Sequence, residues 1–197
     1  MEQQKAIEVR FPTITFSFVF ISLIAYCWPH LSDLLVYDRQ AIIKGEVWRL
    51  WTSPFVHFSV SHICWDLLVY CAAGCTIEAS GYRCYWLVCC LAVLIPGPIL
   101  LMSWPEIARY GGLSGLATGA VAYLCLCELK RSGRNKIIWL AILALIGIKT
   151  VVETVTCAPI FASAADMPFL VLPSVHAFGC AAALAALMWT WLKKAIK

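Results

Sequence analysis

The sequence predicts an all-α protein that crosses a membrane several times. Hydrophobic residues make up 62% of the 197 residues and charged residues only 13%, whereas soluble domains hold roughly 45–50% apolar and about 25% charged residues. The apolar residues form six runs, each close to the roughly 20 residues that a helix needs to cross a bilayer. The runs cover residues 11–28, 60–77, 82–104, 113–129, 137–156 and 169–192. We therefore expect a polytopic membrane protein with six transmembrane helices.

The first two runs are separated by a long mixed segment. Residues 11–28 lack a small-residue cleavage site, so we expect this run to remain as an anchor and not to be removed as a signal peptide. Residues 30–55 combine acidic and basic side chains with Leu, Val and Trp. This mixture predicts a structured loop with short helices at the membrane interface. The second run, residues 60–77, then reads as an uninterrupted helix.

The third and fourth runs both depart from a simple crossing. The third contains Pro96-Gly97-Pro98, where we expect a kink or an early end because proline removes a backbone donor. The fourth, residues 113–129, is short, so the preceding residues 109–112 are expected to enter the protein. Irregular backbone is tolerated at that depth only where protein or a water-filled cavity surrounds it.

The fifth and sixth runs complete a single predicted domain over residues 1–197, because no repeat or separate soluble region is visible. Lys and Arg set the orientation. With both termini in the cytoplasm, ten of these residues lie on the cytoplasmic side, four on the opposite side and Lys149 within a run. The net charge of +4 does not indicate a nucleic-acid partner, since the basic residues cluster at the predicted helix ends.

A serine and a histidine lie inside separate apolar runs. Ser114 follows two glycines at the start of the fourth run, and His176 lies in the sixth. Polar side chains in a membrane usually face the bundle interior and mark function, and a serine with a histidine base is the minimal apparatus of nucleophilic hydrolysis. At a helix N-terminus, free backbone N–H groups and the helix dipole also favour a developing oxyanion. The pair predicts a serine hydrolase.

The predicted heights of the polar side chains support this pairing. A helix rises about 1.5 Å per residue, which places Ser114 and His62 about 24 Å and His176 about 25 Å above the cytoplasmic ends of their helices. Three polar groups on three helices therefore fall at one level, near the outer edge of the hydrocarbon core. We expect them to form one site.

These motifs resemble those of the rhomboid intramembrane serine proteases over nearly the whole chain. The matching segments are Trp48-Arg49, residues 57–62, Glu78, Gly112-Leu113-Ser114-Gly115 and His176-Ala177-Phe178-Gly179. The resemblance implies Ser114 as nucleophile, His176 as general base and acid, and His62 on the oxyanion side with Gly112 and Leu113. It also implies membrane-anchored protein substrates, surrounding lipids, and a reaction without cofactor or metal.

One position departs from the family's pattern. The rhomboid motif His-x-x-x-Asn is His62 followed by Asp66 here, and an ionised aspartate would repel an oxyanion. Either Asp66 is protonated and donates a hydrogen bond, or it pairs elsewhere. We favour an ion pair with Lys149, since the two lie at about 18 and 20 Å; Glu153, one turn from Lys149, is the competing partner. His57 is expected to support the first loop or the mouth of the cavity.

Residues 48–52 and 62–66, together with Lys149 and Glu153, resemble the rhombosortase branch of the rhomboids, which is compact and has aspartate in the second span. That branch implies removal of a C-terminal GlyGly-CTERM anchor from exported proteins at the bacterial inner membrane. Such an anchor consists of a Gly-Gly motif, a transmembrane helix and a basic tail. The active site would open to the periplasm, with lateral substrate entry between the second and fifth runs. A general rhomboid protease with other substrates is the alternative.

Two other function classes account for part of the sequence. An intramembrane metalloenzyme could use His57, His62 and Asp66 as ligands, but this leaves Ser114 and His176 without a role. A proteolytically inactive rhomboid-like binding protein would generally lack the serine–histidine pair. The eleven cysteines show no metal-binding spacing and are expected to pack as small apolar residues without a disulfide.

Overall fold

The computed structural model describes residues 11–131, 135–156, 160 and 172–195. These residues form an all-α protein, as predicted, with one two-stranded antiparallel pairing. The helices are α1 Thr13–Cys27, α2 Pro29–Leu35, α3 Arg39–Ile43, α4 Arg49–Thr52, α5 Val60–Ala79, α6 Tyr85–Leu94, α7 Pro96–Ser103, α8 Ser114–Lys130, α9 Lys136–Thr156 and α10 Pro173–Ala195, with a 3₁₀ helix Ser53–Phe55 and strands β1 Tyr37–Asp38 and β2 Arg109–Tyr110.

Several of these helices have the length and hydropathy to cross a membrane. Within the described residues they are Val60–Ala79, Tyr85–Ser103, Lys136–Thr156 and Ser174–Lys193, or five spans if α1 and α2, bent by 114°, form one. The 17 residues of α8 match the lower limit of roughly 17 for a crossing. Each of the six predicted runs overlaps at least one helix, although only four or five helical segments of the described residues qualify as spans by length and hydropathy. Residues 169–171 of the last run lie outside the described part.

Helix α8 lies at the centre of the bundle and packs against α5, α6, α9 and α10. Its contact with α10 is made by small residues. A Cβ at Gly179 would overlap the Gly115 carbonyl, and one at Gly119 would lie 2.9 Å from the Gly179 carbonyl oxygen. The buried Ala182 and Ala183 continue this surface along α10. The two backbones therefore approach closely, as small residues allow in membrane helix pairs.

The third predicted span is interrupted where its prolines indicated. Helices α6 and α7 meet at Ile95, and Pro96 begins α7, which confirms the expected break. A Cβ at Gly97 would overlap the carbonyl of Leu50. The start of α7 is thus packed tightly against the loop between the first two spans.

That loop is structured, as predicted, and Arg49 organises it. The Arg49 Nη1 donates to the carbonyls of Asp33 at 2.6 Å and Val36 at 2.9 Å, and its guanidinium pairs with Glu46 at 2.6 Å. Strand β1 in this loop pairs with β2, placing Tyr37 opposite Tyr110. The pairing connects the loop to the segment that leads into Ser114.

A carboxylate near the end of α5 joins this helix to the start of α1. Glu78, near the end of α5, accepts hydrogen bonds from the backbone N–H of Ile14 at 3.1 Å and of Thr15 at 2.8 Å, and from the Thr15 hydroxyl at 2.7 Å. The two N–H groups are backbone donors that α1 cannot satisfy within its own first turn.

The ten cysteines in the described residues are free thiols.

Candidate active site

Ser114 is the first residue of α8, and the segment before it is buried in the protein. Gly111, Gly112 and Leu113 are all buried, which confirms that this short span is preceded by backbone entering the bundle. Gly112 has φ +131°, a conformation that favours glycine, and its N–H donates to the Ser53 carbonyl at 3.3 Å. A Cβ at Gly111 would lie 2.8 Å from the Val56 carbonyl oxygen.

The start of α8 presents free backbone donors. The first bond within the helix runs from the Ala117 N–H to the Leu113 carbonyl at 2.9 Å, so the earlier N–H groups of Ser114, Gly115 and Leu116 have no acceptor inside the helix. The half-buried side chain of Ser114 stands at this positive end. The arrangement suits an anion that forms beside the serine.

His176 lies in the first turns of α10 and faces a carboxylate. Its Nδ1 is 3.1 Å from the Glu153 Oε2, and Lys149 Nζ is 2.7 Å from the same oxygen. His176 and Glu153 are 3% and 2% exposed. We call Lys149, Glu153 and His176 the Glu153 cluster. Because Nδ1 is directed to the carboxylate, Nε2 is the ring nitrogen left for a further partner.

Ser114 and His176 lie where α8 and α10 approach most closely. A Cβ on Gly115, next to Ser114, would lie 3.0 Å from the carbonyl oxygen of Val175, next to His176. Ser114 begins α8, and His176 lies in the first turn of α10. Catalytic hydrogen bonds are often long in enzymes without substrate and shorten only in the reacting complex. The helices are placed for such a bond.

A second group of polar side chains lies on the other side of the turn. Asp66 Oδ2 is 3.3 Å from His57 Nε2 and 3.4 Å from His62 Nε2. The exposed fractions of His57, His62 and Asp66 are 4%, 6% and 9%. His62 and Asp66 lie one turn apart on α5, and His57 lies in the loop before it. We call these three residues the histidine–aspartate cluster.

The histidine–aspartate cluster contacts the backbone that leads to the serine. The Leu113 N–H donates to His57 Nε2 at 3.4 Å, and His57 Nδ1 is 3.2 Å from the Phe55 carbonyl oxygen. A Cβ at Gly112 would lie 2.7 Å from His62 Nε2. The absence of a side chain at Gly112 therefore allows His62 to approach the turn. His57 therefore contacts both the loop, through Phe55, and the turn, through Leu113.

Tyr110, in strand β2, also contacts the turn. Its hydroxyl donates to the Gly112 carbonyl at 3.3 Å. Burial, together with the nearby Asp66 charge, raises the pKa of the Tyr110 phenol, so the hydroxyl stays protonated and remains a donor. It adds one more contact that fixes the conformation of Gly112.

The favoured ion pair between Asp66 and Lys149 is wrong. Lys149 pairs with Glu153, the competing partner, and Asp66 lies with His57 and His62. Residue counting gives the height of a side chain, but not the direction in which it leaves the helix. Asp66 lies on the same face of α5 as His62, toward the turn, whereas Lys149 and Glu153 share one face of α9.

The contact between Glu153 and His176 was missed from the sequence, although a signal for it was present. Glu153 lies 17 residues after Lys136, and His176 lies 17 residues before Lys193. At about 1.5 Å per residue both are about 25 Å from the cytoplasmic end. The same height argument that joined Ser114 to His176 would have added Glu153.

Comparisons with known proteins agree with this architecture. The family model of the rhomboid domain matches residues 44–192, which is more than half of the chain. Proteins named rhomboid protease GlpG from Salmonella newport (strain SL254), Salmonella heidelberg (strain SL476) and Salmonella typhi are each 31% identical over 94 residues. The alignments cover 47% of this chain and 33% of each relative, so the chain spans about a third of the length of these relatives.

Proposed function

This chain belongs to the rhomboid family, and from that membership we propose that it is an intramembrane serine endopeptidase. Ser114 is the nucleophile and His176 is its general base. The observation that carries the proposal is the pairing of the α8 start with the first turns of α10, where Gly115 and Val175 touch. A hydroxyl is a weak nucleophile without a neighbouring base, and His176 is the histidine next to this contact.

Glu153 has a supporting role in this proposal. His176 directs Nδ1 to Glu153 at 3.1 Å, which leaves Nε2 to accept the serine proton as Ser114 attacks the peptide carbonyl. The carboxylate holds the imidazole ring and stabilises the imidazolium that forms, as the acid does in a serine–histidine–acid triad. His176 then returns the proton to the leaving amine, and water hydrolyses the acyl-enzyme.

The oxyanion is held between the start of α8 and the histidine–aspartate cluster. The first N–H groups of α8 provide backbone donors, and His62 provides a side-chain donor beside Gly112. Asp66 keeps His62 in place, and Gly112 with Leu113 shapes the turn. Because these donors are fixed before substrate binds, they stabilise the transition state without reorganisation.

Membrane-anchored proteins are the proposed substrates, and they enter sideways from the lipid between α5 and α9. Helix α9 is the more peripheral of the two, since Glu153 is its buried residue. Helix-breaking residues near the scissile bond should speed cleavage, because they free the peptide from helical hydrogen bonds. Cleavage of a soluble peptide as fast as the anchored form would argue against this route.

We further propose that the chain is a rhombosortase. The support is Asp66 in the second span and the resemblance at residues 48–52 and 62–66. The substrates would be exported proteins with GlyGly-CTERM tails. The enzyme would lie in the bacterial inner membrane with both termini in the cytoplasm and its site open to the periplasm. A general rhomboid protease is the alternative, and it would cleave anchored substrates regardless of a Gly-Gly motif.

The first test is cleavage of an anchored substrate by Ser114→Ala and His176→Ala proteins in vesicles. Each substitution should lower kcat/KM by about 10⁴-fold or more. Ser17→Ala on the exposed face of α1 and His30→Ala on α2 are matched controls and should cleave normally. A serine-directed phosphonate should inactivate the wild type, whereas a chelator should not abolish activity. Normal turnover by either site variant would end the serine-protease proposal.

The second test separates the two substrate classes. One anchored substrate carries Gly-Gly before its transmembrane helix and basic tail, and a second carries Leu-Leu at the same place. A rhombosortase should cleave the first substrate preferentially. Equal rates for both would favour the general rhomboid protease and leave the serine-protease proposal intact.

A further inference from the structure

Three side chains with metal-binding atoms converge beside the Gly112 turn, and the proposed cleavage reaction uses only one of them directly. His57, His62 and Asp66 each offer one ligand atom, and these atoms all lie within 4.8 Å of one another. All three residues are at least nine-tenths buried. Asp66 Oδ2 lies between the two imidazoles, within 3.3 Å of His57 Nε2 and 3.4 Å of His62 Nε2.

The ring protons of both histidines can lie away from the centre of this cluster. A carbonyl oxygen accepts only, so His57 must donate from Nδ1 to Phe55, and its Nε2 accepts from the Leu113 N–H. His62 Nδ1 has no hydrogen-bond partner in the described part of the chain, so the proton that His62 carries on Nε2 when it donates to the oxyanion can move to Nδ1 when a cation binds Nε2. Asp66 Oδ2 faces the Nε2 atoms of both histidines. A cation bound here would take the single Nε2 lone pair of His57 in place of the Leu113 N–H.

Two of the three ligand separations match those around a tetrahedral metal ion. Nitrogen and oxygen ligands lie about 2.0–2.1 Å from zinc, which separates two ligands of a tetrahedron by about 3.3 Å. The measured separations from Asp66 Oδ2 are 3.3 Å to His57 Nε2 and 3.4 Å to His62 Nε2. The bond from His57 Nδ1 to a backbone carbonyl is also the outer contact that orients a metal-bound histidine.

We propose that His57, His62 and Asp66 bind a divalent transition-metal ion of the zinc type, and that the bound ion inhibits peptide cleavage. Two imidazoles and one carboxylate are ligands that zinc prefers, with a fourth position left for water. Once its Nε2 is bound to metal, His62 has no N–H there to donate to the oxyanion. Only the inhibition rests on the proposed protease function; metal binding does not.

Gly112 makes inhibition a direct effect. A Cβ at this position would lie 2.7 Å from His62 Nε2 and 3.6 Å from Asp66 Oδ2, so the ion would sit against the backbone that leads to Ser114. The Glu153 cluster takes no part in binding the ion. The ion therefore removes an oxyanion donor without altering the pairing of His176 with Glu153.

Binding is tested first, in a protein that cannot cleave. Cobalt replaces zinc as a spectroscopic probe and is titrated into the full chain carrying Ser114→Ala in detergent. We expect one ion per chain with the absorption of a tetrahedral site. Adding His57→Ala, His62→Ala or Asp66→Asn should weaken binding by more than the roughly 10–100-fold that loss of an outer partner costs. His30→Ala and His176→Ala are matched controls that should bind normally.

A second readout covers variants that fold poorly. Zinc should raise the unfolding temperature of the Ser114→Ala protein, because a ligand of the folded state stabilises it, and Asp66→Asn should remove the increase. A cobalt–thiolate absorption band would place the ion on cysteines and overturn the site. Binding that is equally strong in all three ligand variants would overturn it as well.

Inhibition is tested separately with wild-type protein. Zinc should lower the rate of cleavage by about 10²-fold or more, the effect expected when an oxyanion donor is lost, and a chelator should restore it. If zinc binds through the three residues but cleavage continues unchanged, the inhibitory effect is wrong. If no substrate is cleaved under any condition while cobalt binding depends on the three residues, the protease proposal fails and the metal site stands.

Discussion

The histidine–aspartate cluster and the Glu153 cluster lie on either side of the start of α8, but the protein builds them differently. In the first, two residues come from one turn of α5 and the third from the loop that precedes it. Further contacts from Leu113, Phe55 and Gly112 fix this group. In the second, the three residues come from two separate helices, α9 and α10.

Among the helices that carry these clusters, α9 buries the fewest residues. Many of its large apolar side chains are exposed in the protein: Ile137, Ile138, Leu140, Leu145, Ile148, Val151, Val152 and Val155. Lipid would cover this surface in a membrane. Glu153 is its buried residue, so the helix contributes a charged group to the site while contacting the core little elsewhere. The oxyanion side is therefore fixed locally, whereas the orientation of the base depends on how α9 sits against α8 and α10.

The largest expected difference is between His176 of the Glu153 cluster and His62 of the histidine–aspartate cluster. His176→Ala removes the base and should lower kcat/KM by about 10⁴-fold or more. His62→Ala removes one oxyanion donor while the backbone donors remain, and should cost about 10²–10³-fold in kcat. Steady-state cleavage of an anchored substrate in vesicles measures both. Equal losses would mean that His62 is as essential as the base, and that the division of roles is wrong.

The two carboxylates allow a closely matched comparison. Glu153→Gln and Asp66→Asn each replace a carboxylate by an amide of the same shape. Glu153→Gln should lower kcat by about 10²–10⁴-fold, because the imidazolium loses its counter-charge. Asp66→Asn creates the residue that the rhomboid pattern has at this position, so activity should stay within about tenfold of wild type. A larger loss at Asp66 than at Glu153 would reverse the assignment.

Two glycines test how firmly the helices of the Glu153 cluster are held. Gly179→Ala on α10 would place a Cβ against the Gly115 carbonyl, and should lower the free energy of unfolding by about 1–3 kcal/mol through overpacking. Gly147→Ala on α9 meets no atom within 4 Å and should be neutral, or stabilising by up to about 1 kcal/mol. Thermal and denaturant unfolding in detergent compare them. A destabilised Gly147→Ala protein would indicate that α9 packs more tightly than described.

The smallest expected effects are coupling energies measured by double-mutant cycles of unfolding. Lys149→Met combined with Glu153→Gln should depart from additivity by about 0.5–3 kcal/mol, as residues in contact do. Lys149→Met combined with Asp66→Asn should be additive within about 0.5 kcal/mol, because the two side chains belong to different clusters. Strong coupling in the second cycle would restore the ion pair between Asp66 and Lys149.

The sequence predicted those features that depend on one segment of the chain. The break at Pro96, the structured interfacial loop and the buried backbone before Ser114 all follow from local composition and length. The heights of Ser114 and His176 also come from counting along single helices. Each of these predictions uses only the composition or length of a single segment, and none depends on how the helices pack together.

The partners of charged side chains were less predictable, because they depend on the rotation of each helix about its axis. The side chains of Asp66 and Lys149 have similar heights above the cytoplasmic helix ends. However, Asp66 lies on the same face of α5 as His62, and this face is directed toward the Gly112 turn. Lys149 and Glu153 lie four residues apart on one helix, and this spacing indicated the pair that the structure contains. The contact of Glu153 with His176 required both the height and the packing of α9 on α10.

The carboxylate of Glu78 has a consequence for the order in which the chain is made. Thr15 is fully buried, and its N–H and hydroxyl are satisfied by a residue synthesised 63 positions later. The N–H groups in the first turn of α1 are therefore left to water until α5 has been made and inserted. When α1 and α5 pair, the Glu78 carboxylate replaces that water.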